Sequence, residues 1–177
     1  MCFKTRLAAK ILNLGGVISN PTDTVQGLTC LPYEASIQKL LRLKRRSPLK
    51  GLILLASDVD FFYPYVQDAD LLAQIKIQQQ PTTYLLKASD GVSKLIKGEF
   101  DTVAVRLTGD VLIGALCQQT NSVLLSSSAN IAGKPTATSI LKLNRDFKQE
   151  LDFIIAPNKD NTQPSQIINL QTGERLR

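Results

Sequence analysis

The sequence contains no histidine among its 177 residues, and that absence excludes the commonest hydrolytic chemistries. Ser-His-Asp and Cys-His catalysis both need an imidazole base, and the usual zinc sites draw on His or on closely spaced Cys. Cysteine is scarce as well: Cys2, Cys30 and Cys117 lie far apart and form no C-x-x-C pair. An odd, unpatterned set of thiols reads as reduced and points to a cytoplasmic protein. No stretch approaches the run of about 18–20 apolar residues that a membrane-spanning helix needs, so no membrane role is expected. The opening segment MCFKTRLAAKILNLGG has a basic start, but Lys10 and Asn13 interrupt any signal-type apolar run, which leaves an amphipathic first helix. Internal repeats and long linkers are also missing.

What is present suits an ordinary folded chain. Hydrophobic residues make up 44% and the mean hydropathy is near zero, so the chain can bury a core. The net charge of +6 is unevenly placed. Between Ala35 and Ser57 stand Lys39, Arg42, Lys44, Arg45, Arg46 and Lys50 with no acid, and the rest of the chain carries 15 cations against 15 acids. The whole excess therefore belongs to one segment, which favours phosphates or nucleic acid as partner.

Hydrophobic periodicity gives strands at 16–19, 52–56, 83–87, 103–107, 123–127, 153–155 and 166–170. Helices are expected at 5–14, 34–46, 68–79, 110–120 and 139–150, with short helical turns at 58–65 and 91–97. Strands alternating with helices predict an α/β sheet with at least one helical layer.

Four stretches break this pattern. In VLLSSSANIAGKP (123–135) a buried strand empties into three hydroxyls and an Asn. In NPTDTVQGLTC (20–30) turn residues follow a small apolar stretch, and a loop is expected. In EASIQKLLRLKRR, Lys44 falls on the apolar stripe of a helix just before Ser47 and Pro48 end it. Arg42 and Arg45 are read as complementing the helix dipole, whereas Lys44 either snorkels outward or serves a site. Arg106 interrupts the strand VAVRL, which implies an ion pair or a ligand.

Taken together and in order, these stretches resemble the YrdC/TsaC family of threonylcarbamoyl-adenylate synthases. NPTDTVQGLTC is similar to the family's Tyr-Pro-Thr-Glu-Thr-x-Tyr-Gly-Leu segment, LKRRSPLKGLILLAS to its Lys-x-Arg segment, and QPTTYLL to its Pro-Gly-Pro-x-Thr element. VAVRL resembles the Ala-Val-Arg strand, SSSANIAGKP the Ser-x-Ser-Ala-Asn signature, and QPSQIINLQTGERLR the Pro-Ser-x-Ile-x-x-Leu ending. The resemblance implies one α/β domain over 1–177, a twisted open mixed sheet with flanking helices and a ligand site in a basic concave cavity. It implies an L-threonylcarbamoyladenylate synthase, a nucleotidyltransferase that makes threonylcarbamoyl-AMP and pyrophosphate from L-threonine, bicarbonate and ATP. Mg²⁺ would accompany ATP, and a threonylcarbamoyl transferase complex would pass the product to tRNA. No protein nucleophile or metal ligand is implied.

Carried over residue by residue, the resemblance assigns Lys44, Arg46, Ser128, Asn130 and Arg177 to ATP. It assigns Thr22, Lys50, Thr83, Arg106, Ser126 and Ser165 to threonine, with Arg106 gripping the carboxylate by a forked bond. The sequence departs from the family's pattern at Asn20 and Gln26, which replace aromatics, and at Gln79-Gln80 in place of Pro-Gly. It departs also at Asp110, often His, and at Gln163, which replaces an Asn. A noncatalytic RNA-binding or ribosome-maturation protein on the same fold, touching RNA directly through the basic segment, is the alternative.

Overall fold

The computed structural model describes residues 2–158 and 163–176. Among them, eight strands form one mixed sheet: β1 Ile18–Asn20, β2 Gly27–Cys30, β3 Ile53–Ala56, β4 Thr82–Lys87, β5 Thr102–Leu107, β6 Leu124–Ser128, β7 Phe153–Ile154 and β8 Gln166–Asn169. Their spatial order is β7-β1-β2-β6-β3-β5-β4-β8. Three pairs are parallel (β1 with β7, β3 with β5, β4 with β8) and the other four antiparallel. The helices are α1 Phe3–Asn13, α2 Glu34–Lys44, α3 Lys94–Lys97, α4 Val111–Thr120 and α5 Ile140–Asp146. The mixed α/β sheet with flanking helices is the architecture expected from the sequence. No helix among the described residues is long and apolar enough to cross a membrane.

Register sorts the central strands into two faces, because directly opposed residues share a face and neighbours along a strand alternate. Leu28, Cys30, Leu54, Ala56, Tyr84, Leu86, Val103, Val105 and Leu125 share one face, and all are buried. The opposite face carries Gly27, Ser126, Ser128, Ile53, Ala104, Arg106, Leu85, Thr83 and Ile167. A strand that looked wholly apolar at its start thus turns hydroxyls to one face at its end. Cys30 and Cys117 are buried free thiols, and burial pushes them up to about 12 and about 11, so both stay protonated.

Several elements differ from the sequence expectation. Within the segment read as a loop, 27–30 is the strand β2, zipped between β1 and β6. The helix expected at 68–79 is only a 3-10 segment, Ala69–Gln74, capped by Asp68 Oδ1 and ended by extended Ile75. The last helix is shorter than 139–150, starting after the Ser139 cap and ending at Asp146, with Phe147 as its C-cap. Asp110, one of the departures, is the N-cap of α4: Oδ1 accepts from the backbone N–H groups of Leu112 and Ile113 at 2.9 and 3.0 Å.

Candidate functional site

The polar sheet face opens into a cavity of about 580 Å³. Thr102 and Arg106, both lining it, are four residues apart on β5, which separates them by about 13 Å along the strand. The cavity therefore has two ends with different chemistry. Leu85, Ile96, Phe100, Ile167 and Leu176 form apolar walls between and around them.

One end is built on Arg106. The loop between β1 and β2 leaves the sheet beside Ser128 and folds back over this face, so that Thr24 Oγ1 accepts from Arg106 Nη1 at 3.1 Å. Asp23 Oδ1 lies 3.1 Å from Arg106 Nη2. The ion pair implied by an Arg inside a strand is therefore present, and the guanidinium also lines the cavity. Hydroxyl orientations here follow from counting protons. Thr22 Oγ1 donates to the Val25 carbonyl at 2.8 Å, which can only accept, so Thr24 supplies the proton of the 2.9 Å bond between the two hydroxyls. Thr83 Oγ1 and Ser165 Oγ, 2.8 Å apart and both buried, join the rows of β4 and β8. Gly27 keeps the floor low: a Cβ there would stand 3.2 Å from Ser126 Oγ and 3.4 Å from Thr22 Cγ2.

The other end is cationic. Helix α2 stops because Arg45 adopts a left-handed conformation (φ 49°), and this turn sends Arg46 into the cavity wall while Lys44 stays beneath. Arg46 donates to the Gly51 carbonyl at 2.9 Å, and half-burial lowers its pKa. Lys50 faces Gly98 across an isolated antiparallel bridge, which brings Lys50 and Lys97 to the same rim. Only glycine fits at 98: φ is +72° and a Cβ would lie 2.2 Å from the Leu49 carbonyl oxygen. Among the described lining residues, Arg46, Lys50, Lys97 and Arg106 are cations and none is a carboxylate.

Lys44 is 2% exposed and lies outside the cavity lining. Its ammonium donates to the Ser128 carbonyl, to the Asn130 carbonyl at 2.9 Å and to Asn130 Oδ1 at 3.3 Å. Burial first, and the charge of Arg46 second, push its pKa down to about 7. Asn130 Nδ2 donates to the Ile131 and Lys134 carbonyls, which fixes the amide so that Oδ1 also accepts from Ser128 Oγ at 2.5 Å. The cation thus organises the turn after β6 from below, while Ser128 meets the cavity.

The Sua5/YciO/YrdC family model, described as telomere recombination, matches residues 10–177. The chain belongs to the Sua5/YciO/YrdC family. It is 38% identical to a threonylcarbamoyl-AMP synthase of Nitrosococcus oceani over 99% of this chain and 97% of that one. It is 39% identical to a threonylcarbamoyl-AMP synthase of Psychromonas ingrahamii, over 96% and 94%. Among solved structures, P. abyssi Sua5 complexed with L-threonine superposes with a TM-score of 0.81 at 27% identity. The match covers 94% of this chain and about half of that longer one, 51%.

For a Sua5/YciO/YrdC chain, the expected site residues gather closely. Thr22, Arg46, Lys50, Thr83, Arg106, Ser126, Ser128 and Ser165 all line the one cavity. Lys50 stands at the cationic end beside Arg46 rather than with Arg106. Asn130 and Lys44 stand behind Ser128, and Arg177 lies outside the described residues. Sequence reading missed Asp23, Thr24, Gly27, Lys97 and Phe100. Asp23, Thr24 and Gly27 sit inside a motif already quoted, so the signal was there. Lys97 ends the short helix α3 and Phe100 follows it, a segment tied to the sheet by the Leu52 N–H donating to the Ile96 carbonyl at 2.8 Å and by the tight turn at Gly98.

Proposed function

We propose that the chain is a threonylcarbamoyl-AMP synthase, a nucleotidyltransferase condensing L-threonine, bicarbonate and ATP. The observation that carries the reading is the two-ended cavity, with hydroxyls around Arg106 at one end and Arg46, Lys50 and Lys97 at the other. An amino acid suits the first end and a triphosphate the second. Threonine's amine attacks the bicarbonate carbon, a C–O bond breaks with loss of water, and the oxygen of the resulting carbamate attacks the α-phosphorus of ATP. The bond to the β-phosphate oxygen breaks and pyrophosphate leaves. Because the nucleophile is made from substrates, the protein's work is positioning and charge stabilisation, and the lack of histidine is no obstacle.

In this reading Arg106 takes the threonine carboxylate, with Thr22, Thr83, Ser126 and Ser165 around the side chain and amine. Arg46 and Lys50 neutralise the phosphates, joined by Lys97. Lys44 and Asn130 set Ser128 toward the nucleotide, and Arg177 is assigned to it as well. The described residues include no cluster of His, Cys, Asp and Glu that could hold a metal. A Mg²⁺ ion arriving with ATP would be held largely by phosphate and water ligands. The product is a mixed anhydride suited to a partner transferase acting on tRNA in the cytoplasm. Two of the six clustered cations are drawn into surface pairs, Lys39 with Asp152 at 2.6 Å and Arg42 with Glu150 at 3.4 Å, which leaves less free charge for RNA.

The test is pyrophosphate release by the purified chain with ATP, Mg²⁺, threonine and bicarbonate, omitting each in turn. Release that requires both threonine and bicarbonate supports the synthase. RNA binding with a steep salt dependence and no such release supports the noncatalytic alternative.

A further inference from the structure

Between its two ends the cavity has a middle. Ser126 on β6 stands opposite Ile53, Ile53 opposite Ala104, and Ala104 opposite Leu85, so the four form one row across the sheet. All four line the cavity. Ala104 is two residues from Thr102 and two from Arg106, which sets the row about 7 Å along the strands from each end. Ser126 is the one polar side chain of the four. The residue is 5% exposed, and among the described residues its hydroxyl has no hydrogen-bond partner. Oγ leans toward Gly27, where a Cβ would stand 3.2 Å from it and 3.4 Å from Thr22 Cγ2. Glycine therefore leaves room beside this hydroxyl. A buried hydroxyl without a partner is unfavourable, and a ligand oxygen in that room relieves it.

We propose that the Ser126 hydroxyl binds bicarbonate, and then the carbamate made from it, midway between the amino-acid and phosphate ends. The bicarbonate carbon must lie between the threonine amine and the α-phosphorus, and the middle row runs there. The neutral amine attacks that carbon: the N–C bond forms, the C–OH bond breaks, and the departing hydroxide leaves as water with a proton from the nitrogen. Ser126 Oγ–H donates to one oxygen of the anion throughout, a charge-assisted bond, and the carbamate's other oxygen is left to attack phosphorus. Ile53, Ala104 and Leu85 offer no competing side-chain donor, so the small anion is directed to Ser126. The inference rests on the synthase reading and assigns the subsite of its third substrate.

The test pairs two measurements on the full chain. One is steady-state pyrophosphate release in carbonate-depleted buffer with added bicarbonate, and the other is calorimetric titration with L-threonine in the absence of bicarbonate. In Ser126→Ala, KM for bicarbonate should rise about tenfold or more, while KM for ATP and Kd for threonine change by less than about threefold. Ser126→Cys keeps nearly the same volume with a weak donor and should show the same selective rise, which separates a lost hydrogen bond from a disturbed fold. A threonine Kd raised as much as the bicarbonate KM would overturn the proposal and place Ser126 against the amino acid. An unchanged bicarbonate KM in both variants would also overturn it, leaving the synthase reading intact. A wild type whose pyrophosphate release ignores bicarbonate would remove that reading and the inference together.

Discussion

Replacing Lys44 with methionine removes a buried ammonium while keeping most of its stem volume. Its fall from an ordinary 10.5 to about 7 corresponds to at most about 5 kcal/mol, at about 1.4 kcal/mol per pH unit. The figure is an upper bound because three oxygen acceptors, on Ser128 and Asn130, favour the charged form that burial disfavours. Below about pH 7 Lys44 is protonated in both folded and unfolded states, and the folded state carries the whole burial penalty. As the pH rises through 7 the folded protein releases this proton, whereas the unfolded chain keeps it until about 10.5. Over that window the unfolded state binds more protons, so stability rises with pH by up to about 1.4 kcal/mol per unit. The assay is urea unfolding followed by circular dichroism from about pH 6 to about pH 10 on wild type and Lys44→Met. The wild type should gain stability relative to the variant across the upper part of this range. Parallel stability curves would refute the reasoning, and a difference of opposite sign would mean that the three acceptors outweigh burial.

Three further substitutions have signs set by local geometry. Gly98→Ala puts a Cβ 2.2 Å from the Leu49 carbonyl at positive φ, and should cost about 2–4 kcal/mol, lowering the melting midpoint by roughly 5–10 °C. Arg45→Gly relieves a left-handed residue at the exposed end of α2 and should raise stability by about 0.5–1 kcal/mol in the same melting assay. Gly27→Ala crowds Ser126 and Thr22 at the cavity floor, so steady-state kinetics at saturating ATP should show KM for threonine raised about tenfold with kcat less affected.

The sheet was legible where a strand carries its own pattern. Val103, Val105 and Leu107 alternate with the cavity-facing Ala104 and Arg106, and the Ser-rich end of β6 marked a polar site before any partner strand was known. β2 was hidden because Gly27, Leu28, Thr29 and Cys30 follow turn residues and become a strand only when β1 and β6 hydrogen-bond on both sides. Ala69–Gln74 misled in the opposite direction: its composition favours helix, yet extended Ile75 ends it after six residues. In the site, residue types could be read from motifs but their division of labour could not. The resemblance gives Lys44 and Arg46 the same ligand, yet the left-handed turn at Arg45 sends one beneath the β6 turn and the other to the cavity. The pairing of Asp23 with Arg106 joins residues 83 positions apart and depends on a loop folding back over the sheet.

The most direct measurement is mass spectrometry of the reaction of the purified chain with ATP, L-threonine and heavy-carbon bicarbonate. The expected product is threonylcarbamoyl-AMP carrying the heavy carbon, formed together with pyrophosphate and lost when Arg46 or Arg106 is replaced by alanine. Conversion of ATP without labelled product, or no conversion at all by a folded chain that binds both substrates, would contradict the synthase reading.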